Sequence, residues 1–542
     1  MLNRVLSYGG YFSLFIFYLL LSGCAQIVVP SGGPKDLQAP RVEKYIPDSA
    51  ATNFRARTIT ILFDEYIQLA DLQKELTISP PMRIQPEVKA KGKMLQIELK
   101  DSLKDNTTYV INFGSSIRDF TEANSKTDFR YIFSTGSVID TLKLTGAVKG
   151  AYDQKTEKGI LVMLYESADD SIPYKSGPSY FAKTNADGSY KISNIRPGQY
   201  KVFALKDANG NYKYDVPTES IGFSDTLISI KKNTKLDILI FQEEPKKQRL
   251  LKSFTMGYGS VMMCYAKPVE KISYKPLNAA TKTETFLTEF NPGRDSVRIW
   301  FPVFTKDSLF FKVMTDEGTI DTIRIGTGQF QKGGSERGGA VKLTAAVNMS
   351  KDKPLDLNKD VSLRFNHPIR SVNVKNMSLT TKNSKLSYSN TEISDSIKRN
   401  YFFKYPVEPD SAYQLFILPG AFTDIFDLTN DTIKVDFKTQ EEKFYGTLKL
   451  TVKMKYRIPF VLELINEKGV VYNYARAERG IFSYLFMPPG TYKLRVIYDQ
   501  NGDGKWTTGN YLEKKKPETI IYYPGPVTIR SNWDLELDWK IE

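Results

Sequence analysis

The sequence predicts an all-β, multidomain chain of β-sandwiches, on three observations. Short runs of alternating apolar and polar residues, bounded by Gly, Pro, Asn and Asp, recur through the 542 residues. Tyr and Phe, which suit pleated surfaces, number 32 each. The chain also repeats itself. Thr141-Leu142-Lys143-Leu144-Thr145 recurs letter for letter as Thr447-Leu448-Lys449-Leu450-Thr451. Pro197-Gly198-Gln199-Tyr200 returns as Pro489-Gly490-Thr491-Tyr492, and an Asp-rich loop follows each copy.

Length and composition narrow the classes. A chain of this length exceeds one core, so roughly three to five domains are expected. The formal charge of +14 is dispersed among acidic residues and forms no block. Nucleic-acid binding, which wants a concentrated basic patch, is therefore disfavoured. There are two cysteines, Cys24 and Cys264. Val261-Met262-Met263 before Cys264 suggests a buried thiol on a strand. With Cys24 modified, as argued next, the chain would carry no disulfide and its domains would rest on their cores alone.

Residues 1–23 read as a signal peptide. Arg4 supplies a thin positive region, and the apolar run from Tyr11 to Leu21 is too short to span a bilayer. Leu21-Ser22-Gly23-Cys24 resembles a lipobox, which implies cleavage before Cys24 and acylation of its thiol. Residues 24–38 read as a tether, with Pro30-Ser31-Gly32-Gly33-Pro34 offering little to pack.

The first domain is expected over residues 39–137. Thr58-Ile59-Thr60-Ile61-Leu62-Phe63 alternates like a half-buried strand, and Met94 to Leu99 does the same. Thr108-Tyr109-Val110-Ile111 follows a turn, and Phe133-Ser134-Thr135-Gly136 closes the unit. With the Ile117-Arg118-Asp119 turn, these features resemble bacterial Ig-like domains of the S-layer-protein type, a resemblance that implies fold more than function. The second domain is expected over 138–243. Thr184 to Tyr190 and Ile195 to Tyr200 are two turns that each enter a strand at a Tyr. They resemble the transthyretin-like module of carboxypeptidase regulatory-like domains. Residues 244–335 hold a central β domain and a linker, with Asp316-Glu317-Gly318 as a hairpin turn and Gly333 to Gly339 as flexible chain.

The second half repeats the first. Residues 336–440 are expected to form a divergent second Ig-like domain, and 441–542 a second transthyretin-like one. Matched positions lie 302 (Phe63/Phe365), 304 (Tyr109/Tyr413), 306 (Thr141/Thr447) and 292 (Pro197/Pro489) residues apart, a drift of loop size. Trp533 to Glu542 alternates strictly, as a strand with one wet face does.

Candidate chemistry is sparse. Asp499-x-Asn501-x-Asp503-Gly504 has the spacing of a calcium loop through its sixth position. Its twelfth position is Asn510, not Glu, and Glu513 lies three residues on. A weak calcium site or an Asx-rich turn both fit. Asp207-x-Asn209-x-Asn211 keeps one charge fewer and lacks the glycine. His367 is the only histidine, and any histidine-dependent triad or zinc site would have to use it. It stands at a strand end where the first half has Glu65. No catalytic residue is assigned.

The whole resembles lipoproteins of Bacteroidota-type bacteria, which implies an outer-membrane protein held by an acylated Cys24. It implies a non-enzymatic scaffold or partner of another envelope protein. Ala25-Gln26-Ile27-Val28-Val29 lacks an acidic export run, which favours the periplasmic face. Two other readings stay open. One is a carbohydrate-binding surface protein, with Tyr212, Tyr214 and Trp506 as the nearest platform candidates. The other is an enzyme built on paired carboxylates.

Overall fold

The computed structural model describes residues 35–541 apart from 279–280, 303–307, 319, 327–340, 382–384, 387–390, 394–395, 406 and 479. The signal peptide, Cys24, most of the tether and the Gly333–Gly339 linker lie outside the described residues. The regular structure described is almost wholly β-strand, with helices no longer than the single turns Leu72–Glu75 and Ile172–Lys175.

Five units follow in order. In the first, the strands Val42–Ile46, Thr58–Phe63, Met94–Glu98 and Glu87–Lys91 form one sheet in that order. Thr77–Ser79, Thr108–Asn112 and Arg130–Ser134 form the facing sheet. Alternate residues Ile59, Ile61 and Phe63 from one sheet meet Ile111, Tyr131 and Phe133 from the other, all fully buried. The fourth unit repeats the scheme. Ala345–Val347, Val361–Phe365, Asn400–Phe403 and Thr391–Ile393 face a sheet that includes Met377–Thr381, Ala412–Ile417 and Ile433–Lys438. The repeat reaches single hydrogen bonds. The Tyr109 hydroxyl accepts from Lys104 N at 2.9 Å, and the Tyr413 hydroxyl accepts from Glu408 N at 2.8 Å. Each ring stacks on its matched Phe, at 5.3 Å (Phe133) and 5.4 Å (Phe437).

The second and fifth units are a second such pair. Leu142–Gly150 and Gly446–Met454 each pair antiparallel with the strand ending at the Pro-Gly turn. Each also pairs parallel with the last strand of its unit, Ile238–Gln242 or Asp534–Ile541. The Tyr200 and Tyr492 hydroxyls donate back to Arg196 O and Pro488 O at 2.7 and 2.9 Å, which explains the Tyr of each Pro-Gly-x-Tyr. The central unit is a sandwich of Leu250–Thr255, Ser260–Tyr265, Ser296–Trp300 and Leu287–Phe290 over Ile272–Pro276, Leu309–Thr315 and Ile320–Ile325. Asp316 to Gly318 is the expected hairpin turn. Cys264 departs from expectation. Met263 and Tyr265 point into the core, so alternation turns the thiol outward and leaves it half-buried.

The units are joined out of sequence order. Tyr511 of the fifth unit is 2% exposed because it enters the apolar outer face of the second unit. Its ring meets Phe203 at 5.2 Å and Phe223 at 5.1 Å, and its hydroxyl donates to Asp170 O at 2.7 Å. Its backbone N–H donates to Glu243, which also accepts from the Tyr214 hydroxyl. Gly509, two residues earlier, is required by close approach: a Cβ there would lie 2.6 Å from the Phe241 ring. Beside this wedge, the Arg495 guanidinium lies 4.4 Å from the Tyr152 ring centroid and donates to its hydroxyl at 2.7 Å. Tyr511→Ala should cost about 3–5 kcal/mol, as deletion of a buried aromatic does. The loss should appear as earlier denaturant unfolding of the full chain and as faster proteolysis between units.

Candidate functional site

The Asp-rich loops are built by carboxylates that capture backbone N–H groups. In the fifth unit Asp499 leaves the strand Gly490–Tyr498 and is 2% exposed. One of its oxygens accepts from Gly504 N at 3.0 Å and from Arg476 Nη2 at 3.2 Å. Arg476 also donates to Gly502 O. The other oxygen, Oδ1, is buried without a hydrogen-bond partner. The Asn501 side chain accepts from Asp503 N at 3.0 Å and donates to Asp503 Oδ2 at 3.1 Å and Thr507 Oγ1 at 2.7 Å. The structure thus brings Asp499, Asn501 and Asp503 into one loop, with a guanidinium already set against its acidic side.

The loop's other acid is one that sequence spacing missed. Glu518, 6% exposed, accepts from Gln500 N and from Thr507 N, both at 2.9 Å. Asn510 and Glu513 belong to a separate turn, where Glu513 N donates to Asn510 Oδ1 at 3.1 Å and Asn510 bridges to Lys515. The first copy has the same device. Glu219, fully buried, accepts from Ala208 N, Asp215 N and Val216 N. Asp207 accepts from Asn209 N, Gly210 N and Tyr212 N, so both its oxygens are taken by its own turn. A signal was present: each Glu follows a proline closely and precedes the next strand's first Ile, Ile221 or Ile520. Among the described residues no three His, Cys, Asp or Glu side chains are grouped to hold a metal ion. A cation in the Asp499 loop would have two carboxylates, Asp499 and Asp503, would need Asn, Thr or carbonyl oxygens to complete its shell, and would compete with Arg476.

His367 is 4% exposed, and its Nδ1 lies 2.7 Å from Oδ2 of the fully buried Asp424. The other Asp424 oxygen accepts from Phe426 N and Leu428 N at 2.8 Å. In the first unit the matched Asp119 takes four backbone donors, from Thr121, Glu122, Ala123 and Asn124. The histidine ring is boxed by Phe426 at 5.1 Å and by Trp300 and Tyr258 of the central unit at 6.1 Å each. Arg399 crosses the same joint to hold both oxygens of Glu289 at 2.8 and 2.9 Å, and Glu289 also accepts from the Trp300 indole at 3.0 Å. The only histidine is therefore a strut between the central and fourth units.

Of the loop aromatics one is buried and two are half-buried. Tyr214 is 6% exposed, Tyr212 packs edge-on to Phe181 at 5.0 Å, and Trp506 packs on Tyr152 at 5.1 Å while donating to Glu518 O. A polar cleft of about 990 Å³ separates the first and second units. Its carboxylates are already paired, Glu75 with Lys158 at 3.1 Å and Asp128 with Arg130.

Two outcomes are expected. His367→Ala should destabilise the chain by about 1–3 kcal/mol, since it strands a buried acceptor. The change should be read by denaturant unfolding, with Trp300 emission as the local reporter. Calcium at millimolar concentration should raise the melting temperature only slightly, consistent with a linkage of about 1 kcal/mol. Arg476→Ala should enlarge that shift and Asp503→Ala should abolish it. A shift unchanged in Asp503→Ala would remove the loop from the calcium response.

Residues 36–135 match the model of a bacterial Ig-like domain. Residues 151–249 match a family described as an uncharacterized protein conserved in bacteria (DUF2141). No curated protein matches the chain. Among solved structures, the Bacillus anthracis TIE protein is similar at 10% identity over 95% of this chain and 76% of its own, with a TM-score of 0.16. The S-layer protein rSbsC is similar at 11% identity over 85% and 65%, with a TM-score of 0.14. The Bacteroides ovatus mixed-linkage glucan utilization locus protein SGBP-B, solved with a mixed-linkage heptasaccharide, is similar at 10% identity over 83% and 99%, with a TM-score of 0.18. At such TM-scores these likenesses carry no argument. The assignment of the first unit as a bacterial Ig-like domain rests on the family match and on its two facing sheets.

Proposed function

We propose that the chain is a non-enzymatic envelope lipoprotein, acylated at Cys24 and held on the periplasmic face of the outer membrane, where it serves as a scaffold for another envelope protein. The second and fifth units are read as transthyretin-like modules. The observation that carries the reading is where the chemically capable side chains go. His367, Arg399 and Glu289 hold the central unit to the fourth, while Tyr511, Arg495, Trp506 and Tyr214 surround the junction of fifth and second units. Side chains that could serve a reaction or a ligand are used to fix domains against one another. This supports a protein whose task is to hold surfaces in place. The carbohydrate-binding reading is weakened at its named platform: Tyr214 is buried, Tyr212 packs on Phe181 of its own unit, and Trp506 packs across the junction on Tyr152.

Cys24→Ser should leave unprocessed or soluble protein in cell fractionation. Mature-length Cys24→Ser protein that still sediments with outer membranes would overturn the anchor. Affinity capture of the native protein from detergent-solubilised outer membranes should bring down a stoichiometric envelope partner. Recovery of the chain alone, under conditions that keep other membrane complexes intact, would count against the scaffold.

A further inference from the structure

Three large apolar side chains are exposed at one end of the first unit: Leu37 at 80%, Tyr66 at 62% and Phe120 at 67%. They are brought together by the backbone. The strand Ile67–Leu69 pairs with Ile117–Asp119, and Phe120 N donates to Tyr66 O at 2.9 Å. The entering segment runs over the same turns. Arg41 N donates to Asp64 Oδ1 at 2.8 Å, and the Asn124 side chain donates to Asp36 O at 2.9 Å, beside Leu37. Nor is Phe120 displayed on a loose loop. Asp119, 1% exposed, collects the N–H groups of Thr121 to Asn124 and fixes the turn that carries it. Burial pushes the Asp119 carboxyl up, but those four donors hold it below the usual range.

We infer that this end of the first unit is a membrane-contact tip, in which Leu37, Tyr66 and Phe120 enter the headgroup region of a phosphatidylethanolamine-rich lipid surface. The inference rests on the acylation of Cys24 proposed above. Its occupant follows from where the described chain begins. Lys35 is the first described residue, and Cys24 lies eleven positions before it. Even fully extended, that stretch spans no more than about 40 Å. The chain enters the first unit at the tip itself, so the apolar end is the end nearest the anchor. Aromatic rings with one apolar and one polar side suit the bilayer interface, and Tyr66 is of that kind.

The charges around the tip select the headgroup. Asp36, Asp64, Glu65 and Glu122 cluster there, with Lys35, Arg41 and Lys93 among them and Lys126 on the adjoining turn. Burial raises the Glu65 carboxyl first, and the charges of Asp119, Asp64, Asp36 and Glu122 raise it further. Such a ring is repelled by anionic phosphatidylglycerol, whereas phosphatidylethanolamine is net neutral and its ammonium donates hydrogen bonds to carboxylates. The tip is thus the opposite of a polybasic lipid-binding patch.

The test uses the acylated full chain in vesicles of phosphatidylethanolamine and phosphatidylcholine. In a Cys264→Ser background, Phe120→Cys carries a nitrobenzoxadiazole label, and a second protein carries the label at Tyr456→Cys in the fifth unit, an equally exposed aromatic position. The label at 120 should shift to the blue and be quenched by headgroup-proximal nitroxide lipids, while the label at 456 should do neither. Exchange of phosphatidylethanolamine for phosphatidylglycerol should weaken the quenching at 120. Adding Leu37→Ser and Tyr66→Ser should abolish it without detaching the chain. If vesicles float with the protein but the label at 120 behaves like that at 456, the tip is overturned and the anchor stands. If the protein does not float, the anchor fails and the tip with it. A blue shift at 120 without lipid quenching would mean that a second copy of this chain covers the tip, and would equally overturn the proposal.

Discussion

The arrangement depends on one joint, the insertion of Tyr511 into the face of the second unit. The residues it brings together are far apart in sequence, 341 positions between Tyr511 and Asp170 and 343 between Arg495 and Tyr152. Closing a flexible loop of that length would cost roughly 5 kcal/mol. Burial of one aromatic returns about 1.5–3 kcal/mol, so the ring alone does not hold the joint. The supporting contacts tip the balance. Thr508 donates to Gln242 O at 2.7 Å, Lys514 pairs with Asp170 at 3.0 Å, and the Lys516 ammonium sits 3.8 Å from the Phe223 ring centroid. Burial alone would push the Arg495 guanidinium down, yet the hydrogen bonds it donates to Tyr522, Glu463 and Tyr152 hold it above its usual range. It therefore remains a cation against the Tyr152 ring.

The duplicated units differ where they are joined and agree where they are not. The tyrosine that ties a loop to its strand is kept in both the first and the fourth units, and so is the threonine that closes it. Thr135 Oγ1 donates to Lys104 O, and Thr439 Oγ1 donates to Glu408 O. The Asp and Glu pair that builds the Asp-rich loop is kept in the second and fifth units. Divergence falls on the contact residues. The strand end with Glu65 in the first unit carries His367 in the fourth, and only the latter faces another unit. The loop after Asp207 runs back to the sheet within its own unit. Its counterpart after Asp499 is long enough to carry Gly509 and Tyr511 across to a neighbour. A local device serves each sandwich alone and is kept by the fold, whereas a joint serves a single pair of surfaces.

That division also explains what could be read from the sequence. Strand period, turn residues and the internal repeat are local signals, and they gave the all-β class and the matching of Phe63 to Phe365 and Tyr109 to Tyr413. Asp499, Asn501 and Asp503 fall in one loop as their spacing implied. Glu518 was missed because a calcium-loop template looks twelve residues along, while this acid reaches back from the start of the next strand. Tyr214 and Trp506 could not be told from exposed loop aromatics, because the surfaces that bury them come from distant sequence. Cys264 was misjudged by its apolar neighbours. On a strand, neighbours in sequence point to opposite faces, so Met263 and Tyr265 argue for an outward thiol rather than a buried one.

The order of contacts matters more than the order of units. The first unit meets the second through Phe181 N donating to Ser79 Oγ at 3.1 Å and through Thr108 on Asp140 at 2.9 Å. The second meets the fifth at Tyr511. The fifth meets the fourth, where Leu357 N donates to the Tyr445 hydroxyl at 3.0 Å and Asn358 donates to the Tyr472 hydroxyl at 3.2 Å. The fourth meets the central unit at Arg399 and His367. Following these contacts, the chain doubles back. The C-terminal unit lies next to the second, and the central unit comes last in the series that begins at the N-terminus. So connected, the central and fourth units stand at the far end of the series of joints that begins at the N-terminus. A strut at that joint, with a fully buried Trp300 between two arginines, has a mechanical purpose. It keeps the central unit in fixed register with the fourth.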